Sequence, residues 1–292
     1  MEMREILKQI DAISISPDAQ IMQLKHQEDN EFYQVWRINS GDDRYILKKA
    51  KQDEVNIYNS LLTLCKSGVP KLYQTLHLDG ESYLLMEYIE GDNLCKCDRQ
   101  KLTAVLDALI CLQQSTWNTP LWSDSYVVSL QRRQNRLEYL KDALLEEAYN
   151  HFLEVYQSVP RALCHDDLLP FNVIVSGQQA VLIDWEVGGI LPYPTSFARL
   201  IAHTESSAGA LFYMEQEDKA FAVDYYYRHL LKDKGISYDD WQNTLEYFLF
   251  YEYCEWVYVG NKFNETGGGY YQKYLPLAKK QAKKLLNITP CR

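Results

Sequence analysis

Near the amino terminus, apolar and polar residues alternate over residues 21–24, 32–38 and 45–48, and Ser40-Gly41-Asp42-Asp43 separates the last two runs. Alternation with period two, broken by a polar glycine-bearing turn, predicts antiparallel β-strands. Over residues 54–64 the period changes: Val55, Tyr58, Leu61 and Leu62 form one stripe of a helix. Residues 82–89 (SYLLMEYI) return to strand character and stop at Glu90-Gly91-Asp92. From Arg99 the spacing is helical, first in Leu102, Val105, Leu106, Leu109 and Leu112, then in Leu137, Leu140, Leu144 and Leu145. Two short apolar runs at 173–175 and 181–183, joined by a polar turn at 176–179, predict a β-hairpin inside this helical part. Helical spacing resumes in the run 220–231 and ends near Leu286; residues 1–13 predict an amphipathic helix at the start. The pattern predicts an α+β chain: a small antiparallel sheet with a helix over 1–90, and a larger, mainly helical part over 91–292.

Composition narrows the class. Hydrophobic residues make up 47% of the 292 and charged residues 24%, as in an ordered globular protein. A formal charge of −10 argues against a nucleic-acid binder, which needs a basic face. No apolar run approaches the roughly 18 residues of a membrane span, and the charged start lacks the apolar core of a signal peptide. Seven cysteines, Cys65, Cys95, Cys97, Cys111, Cys164, Cys254 and Cys291, are scattered without zinc-ligand spacing. Reduced thiols in a cytoplasmic protein are the expectation. Arg132, Arg133 and Arg136 are expected on a solvated helix face, with a phosphate or substrate contact as the alternative.

Candidate chemistry is densest in residues 163–186, LCHDDLLPFNVIVSGQQAVLIDWE. His165, Asp167 and Asn172 stand in the spacing H-x-D-L-x-x-x-N, and Asp184 follows the predicted hairpin. A hydroxyl attacking a phosphoryl group needs a carboxylate to orient it and take its proton, and a phosphate-bound Mg2+ needs oxygen ligands. Asp167 suits the first task, Asn172 and Asp184 the second, since the hairpin would bring its two ends together. Lys48, at the end of a predicted strand, suits phosphate binding, with Glu54 as its partner.

At these residues the chain resembles the aminoglycoside phosphotransferase and choline kinase superfamily, small-molecule relatives of protein kinases. Its members usually carry H-G-D-L-x-x-x-N and then I-D-[WF]-[ED]; this chain has HDDLLPFN and IDWE. The resemblance implies a bilobal protein-kinase-like fold, with an N-terminal nucleotide-binding lobe and a C-terminal catalytic and substrate-binding lobe. It implies ATP and Mg2+ as cofactors, Asp167 as catalytic base, Asn172 and Asp184 as metal ligands, and His165 as a brace. It places the interlobe hinge at Met86, Glu87 and Ile89, with Met86 behind adenine and the other two contacting it through the backbone.

The acceptor is expected to be a hydroxyl of a small, amine-bearing molecule, an aminoglycoside or a choline- or ethanolamine-like compound. Residues 247–259 (YFLFYEYCEWVYV) combine aromatics with Glu252, Glu255 and Trp256, a set suited to an ammonium through cation–π and charge attraction. Glu186, two residues past Asp184, joins them as a candidate. Two departures from the family pattern stand out. The loop at 25–30 has no glycine, with Asn30 as the remnant of a phosphate-loop motif, and Ser196 occupies the place of the Asp that normally supports the catalytic loop. They point to the alternative of a catalytically weak nucleotide-binding pseudokinase or scaffold.

Overall fold

The computed structural model describes residues 3–25, 31–119 and 124–287. The phosphate-loop candidate Asn30 with residues 26–29, the first two residues of the predicted amino-terminal helix, and Cys291 lie outside the described residues.

After a short helix α1 (Met3–Leu7), strands β1 (Gln20–Lys25), β2 (Phe32–Ser40), β3 (Asp43–Ala50), β4 (Leu72–Leu78) and β5 (Glu81–Glu87) form an antiparallel sheet in the order β1-β2-β3-β5-β4. Helix α2 (Gln52–Asn59) connects β3 to β4. It stops short of the predicted residue 64, and a 3-10 turn, Leu62–Leu64, follows it. Register decides what each sheet face carries. Lys48 lies opposite Leu84 and Ile46 opposite Met86, so these four side chains share one face, while Leu47 and Leu85 share the other. The outer face closes into a small core with Ile6, Ile38, Tyr45, Leu76 and Tyr83. On the inner face, Leu84 and Met86 join Val55 and Tyr58 in the main core.

The larger part contains α3 (Arg99–Thr116), α4 (Ser125–Arg136), α5 (Ala143–Ser158), α6 (Pro194–Ala202), α7 (Gln216–Tyr226), α8 (Tyr238–Phe263) and α9 (Gly269–Leu286). Polar caps start several of them: Asp98 accepts from the Lys101 N–H, Asp142 from Leu145 and Ser237 from Asp240. The leucine stripe expected across 137–145 is broken, because Lys141 adopts a left-handed φ of +54° and Asp142 caps a new helix. Strands β6 (Arg161–Cys164) and β9 (Gly189–Pro192) pair as one ribbon, and β7 (Val173–Ser176) and β8 (Gln179–Leu182) as another.

The two parts are joined tightly after β5. Asp92 and Val175 exchange backbone hydrogen bonds of 3.0 and 2.7 Å. A Cβ on Gly91 would come within 2.2 Å of the Val175 carbonyl oxygen, so only glycine fits there. Among the described residues no helix is long and apolar enough to cross a membrane.

Candidate active site

The hairpin β7–β8 pairs Val173 with Leu182 and turns at Gly177, whose φ is +62°. Its two ends therefore meet: the Ile183 N–H donates to the Asn172 carbonyl at 3.0 Å, and Asp184 is the next residue. Asp184 has a left-handed φ of +66°, a conformation that aspartate tolerates better than branched residues do. Trp185, 1% exposed, is anchored by its indole N–H to the Leu182 carbonyl at 2.8 Å, which fixes the turn between Asp184 and Glu186.

The loop after β6 is held from three sides. The His165 ring donates from Nε2 to the Ile183 carbonyl at 2.7 Å and accepts the Asp167 N–H on Nδ1 at 3.2 Å. Burial pushes the His165 pKa down, which agrees with a neutral ring in that arrangement. Asn172 donates from Nδ2 to the Asp167 carbonyl at 2.8 Å, leaving its amide oxygen for another partner. Ser196, on α6, accepts the His165 backbone N–H at 2.8 Å. The position that departs from the family pattern thus still braces the loop, through a hydroxyl in place of a carboxylate.

Lys48 crosses from the sheet to this loop. Its Nζ lies 2.7 Å from Glu54 Oε1 and 2.5 Å from Asp184 Oδ1. Burial works against the ammonium, but the two carboxylates outweigh it and raise the Lys48 pKa. Glu186, two residues past Asp184, pairs with Lys51. Met86 is 5% exposed on the face shared with Lys48. At the hinge, the Glu87 N–H is already used by the Lys71 carbonyl at 2.9 Å, leaving the Glu87 carbonyl and the Ile89 backbone for a ligand. A groove of about 930 Å³ includes Glu87 and Ile89 but neither Lys48 nor Asp184; it lies between α3, the β7–β8 turn and the segment before β4, away from the charged centre.

Asp167 opens into a smaller cavity of about 270 Å³ lined by Arg132, Arg136, Asp166, Val187, Arg199, Tyr251, Glu252 and Glu255. Arg199 bonds Asp167 Oδ1 from Nε at 3.0 Å and Nη2 at 2.7 Å, and from Nη1 reaches Glu252 at 2.8 Å and Glu255 at 2.6 Å. Burial dominates the Asp167 carboxyl and Arg199 opposes it; Glu255 and Glu252 add to the rise, and the pKa is pushed up to about 6.

The expectation for Arg132, Arg133 and Arg136 is overturned: this is not a solvated face. Arg133 is fully buried, bonds both oxygens of Asp166 at 2.6 and 3.1 Å, and lies over the rings of Tyr156 and Tyr251. Arg132 also meets Asp166. Arg136 pairs with Glu255 at 3.2 Å and lies over Tyr251 and Tyr258. The aromatic and acidic residues of α8 therefore hold the protein's own guanidiniums. Trp256 is not with Asp167: it stacks on Tyr270 at 4.2 Å and faces His203 and Tyr274. A signal for the arginines was present in Asp166, which stands where the resembled family has glycine.

Among the described residues no group of three or more His, Cys, Asp or Glu could hold a metal. Asn172 and Asp184 are hard oxygen donors at adjoining strand ends, a pair that suits a divalent cation completed by phosphate and water.

The model of the phosphotransferase enzyme family matches residues 22–229. Among solved structures, the chain is similar to the amicoumacin kinase hAmiN in complex with AMP-PNP, Ca2+ and Ami, at 14% identity over 99% of this chain and 95% of that one, with a TM-score of 0.64. It is similar to choline kinase from Cryptosporidium parvum Iowa II, at 14% identity over 92% and 90% and a TM-score of 0.63. It is also similar to a GDP complex of aminoglycoside 2'-phosphotransferase-IIIa, at 14% identity over 97% and 96% and a TM-score of 0.61. No curated protein matches the chain significantly.

Proposed function

Because the chain belongs to the phosphotransferase enzyme family, we propose that it transfers the γ-phosphoryl group of ATP, with Mg2+, to a hydroxyl of a small molecule bound beside Asp167. The observation that carries this reading is the meeting of Lys48, Glu54 and Asp184 across the two parts of the chain, next to a loop that fixes Asp167 and Asn172. Residues 1–90 would form the nucleotide-binding lobe and 91–292 the catalytic and substrate-binding lobe.

Glu54 would hold the Lys48 ammonium toward the α- and β-phosphates. Met86 would back the adenine, with the Glu87 carbonyl and the Ile89 backbone as its polar contacts. Asn172 and Asp184 would hold Mg2+, which when bound neutralises charge on the phosphates. Arg199 occupies one Asp167 oxygen, so the other is left for the acceptor hydroxyl. As the acceptor oxygen bonds to phosphorus and the bond to ADP breaks, Asp167 takes the hydroxyl proton.

The acceptor is a hydroxyl compound for which an ammonium is not required. Glu252 and Glu255 are engaged by Arg199, Tyr251 by Arg133 and Arg136, and Trp256 is stacked elsewhere. These pairings weigh against an aminoglycoside or choline-like acceptor held by an aromatic cage. The pseudokinase alternative leaned on Ser196 and on the glycine-free loop at 25–30; the Ser196 bond to His165 removes the first support, and residues 26–30 lie outside the described residues.

Thermal stabilisation by AMP-PNP should depend on Mg2+. With ATP and a panel of small hydroxy compounds, ADP release should be lost in Asp167→Asn by about a thousandfold while AMP-PNP stabilisation persists. Unchanged turnover in Asp167→Asn would refute the assigned role, and absence of Mg2+-dependent nucleotide stabilisation would refute the phosphoryl-transfer reading.

A further inference from the structure

Deepening that reading and resting on it, we propose that the acceptor carries an anionic group, a carboxylate or a phosphate or sulfate ester, held by the guanidinium of Arg132 at the rim of the Asp167 cavity. The first support is how the charges pair. Asp166 receives two bonds from Arg133 and one from the Ser129 hydroxyl at 3.2 Å, so its charge is met without Arg132. Glu255 is met by Arg199 and Arg136, and Glu252 and Asp167 by Arg199. Arg132, Arg133 and Arg136 each share their carboxylate partner with another arginine, and Arg132 is the most exposed of them, at 37% against 0% and 13%. Each lining carboxylate already has a guanidinium partner.

Unsatisfied donors give the second support. The Nε–H groups of Arg132 and Arg136 are buried without an acceptor, and both residues line the cavity one helical turn apart on α4. A buried N–H without a partner is costly, so both guanidiniums at the wall of the cavity are short of acceptors. Arg133 also has an unpartnered Nε–H, but that residue lies between Tyr156 and Tyr251 and does not line the cavity.

Position and size complete the case. The Arg132 side chain is 37% exposed, against 12% for Arg199, so it sits where a molecule enters with its hydroxyl directed to Asp167. The cavity of about 270 Å³ is below the roughly 300–1,000 Å³ of sites for drug-sized ligands. It fits a compact hydroxy acid or monoester better than a multi-ring polycation. The guanidinium fork suits planar or tetrahedral oxyanions. The anionic group takes no part in the bond changes.

Inorganic sulfate is the probe. With Mg2+ and AMP-PNP saturating, so that the phosphate-binding part of the nucleotide site is filled, sodium sulfate is titrated against sodium chloride at equal ionic strength, with thermal stability as readout. Sulfate should stabilise the wild-type protein saturably, and Arg132→Gln should weaken its apparent affinity by about tenfold or more, as expected for losing a charge-assisted contact. AMP-PNP should stabilise both proteins equally. A sulfate effect that does not saturate, or is the same in both, overturns the proposal. So does loss of AMP-PNP stabilisation in Arg132→Gln, which would assign Arg132 to the nucleotide phosphates. If AMP-PNP stabilises neither protein, the phosphoryl-transfer reading fails while the sulfate comparison still decides the role of Arg132. Should Arg132→Gln not fold, Arg132→Lys, which keeps the charge but loses the fork, should weaken sulfate by about threefold or more.

Discussion

Replacing Arg133 by Met tests the buried charge knot beneath the catalytic loop. Burial alone would push the Asp166 carboxyl up, but Arg133, and then Arg132, hold it down at about 2. The gap between that value and the roughly 3.9 of an unfolded aspartate corresponds to on the order of 2–3 kcal/mol of stability at neutral pH. The folded-state value is depressed, so this contribution is present above about pH 4 and lost as pH falls through about 2. Arg133→Met removes the 2.6 and 3.1 Å bonds and leaves a carboxylate that is 3% exposed. A buried pair broken on one side costs about 3–5 kcal/mol. For a chain of this size each kcal/mol lowers Tm by about 2–4 °C, which gives a fall of about 6–20 °C. Asp166→Asn alone should also destabilise, since Arg133 would keep its charge in the same place. The double variant should recover about 2 kcal/mol relative to the sum of the singles, measured as a double-mutant cycle by urea unfolding at pH 7. Strict additivity would refute the reasoning, because it would mean that the two residues do not depend on each other energetically.

Three further outcomes follow from the same geometry. Turnover at limiting acceptor should rise with pH through about 6 and then level, since Asp167 must be ionised to take a proton; a profile flat from pH 5 to 8 would contradict this. Ser196→Ala leaves the buried His165 N–H without an acceptor and should cost about 1–2 kcal/mol in thermal unfolding, whereas Ser196→Asp should retain the bond. Lys48→Met strands Glu54, which is 1% exposed, and should weaken AMP-PNP binding and lower turnover by about a hundredfold in single-turnover assays.

Much of the fold was legible because each element carried its own pattern. Alternation located β1, β2 and β3, and it put Lys48 and Lys49 on opposite faces. The β7–β8 hairpin was readable from two apolar runs and a glycine, and with it the meeting of Asn172 and Asp184. Other elements left no such mark. In β4 (LYQTLHL) every residue but Leu76 keeps some exposure or is fully exposed, so its alternation is blurred. The β6–β9 ribbon is made of four-residue strands whose eight residues are all buried except Arg161, giving runs too short and too uniformly sheltered to show a period. The stripe from Leu137 to Leu145 looked continuous because hydrophobic spacing does not register a single left-handed residue, Lys141.

The arginines of α4 show why the acceptor side was harder to read than the phosphate side. The roles proposed for Lys48, Asp167, Asn172 and Asp184 were read from short local spacings that survive in one dimension. Whether Arg133 is solvated or buried depends instead on a counter-ion 33 positions away and on Tyr251, more than a hundred positions away on another helix. A guanidinium and a ligand ammonium ask the same things of their surroundings, carboxylates and aromatic faces, so residues 247–259 fit either. The two are separated by a count of charges once the helices are packed. Arg132 and Arg133 share Asp166, Arg136 and Arg199 share Glu255, and Arg199 also holds Asp167 and Glu252. A cationic acceptor entering this cavity would bring a charge with no counterpart and would have to displace one of the protein's own. An anionic acceptor could draw on the Arg132 guanidinium, the most exposed of the four, and leave Asp166 still paired with Arg133.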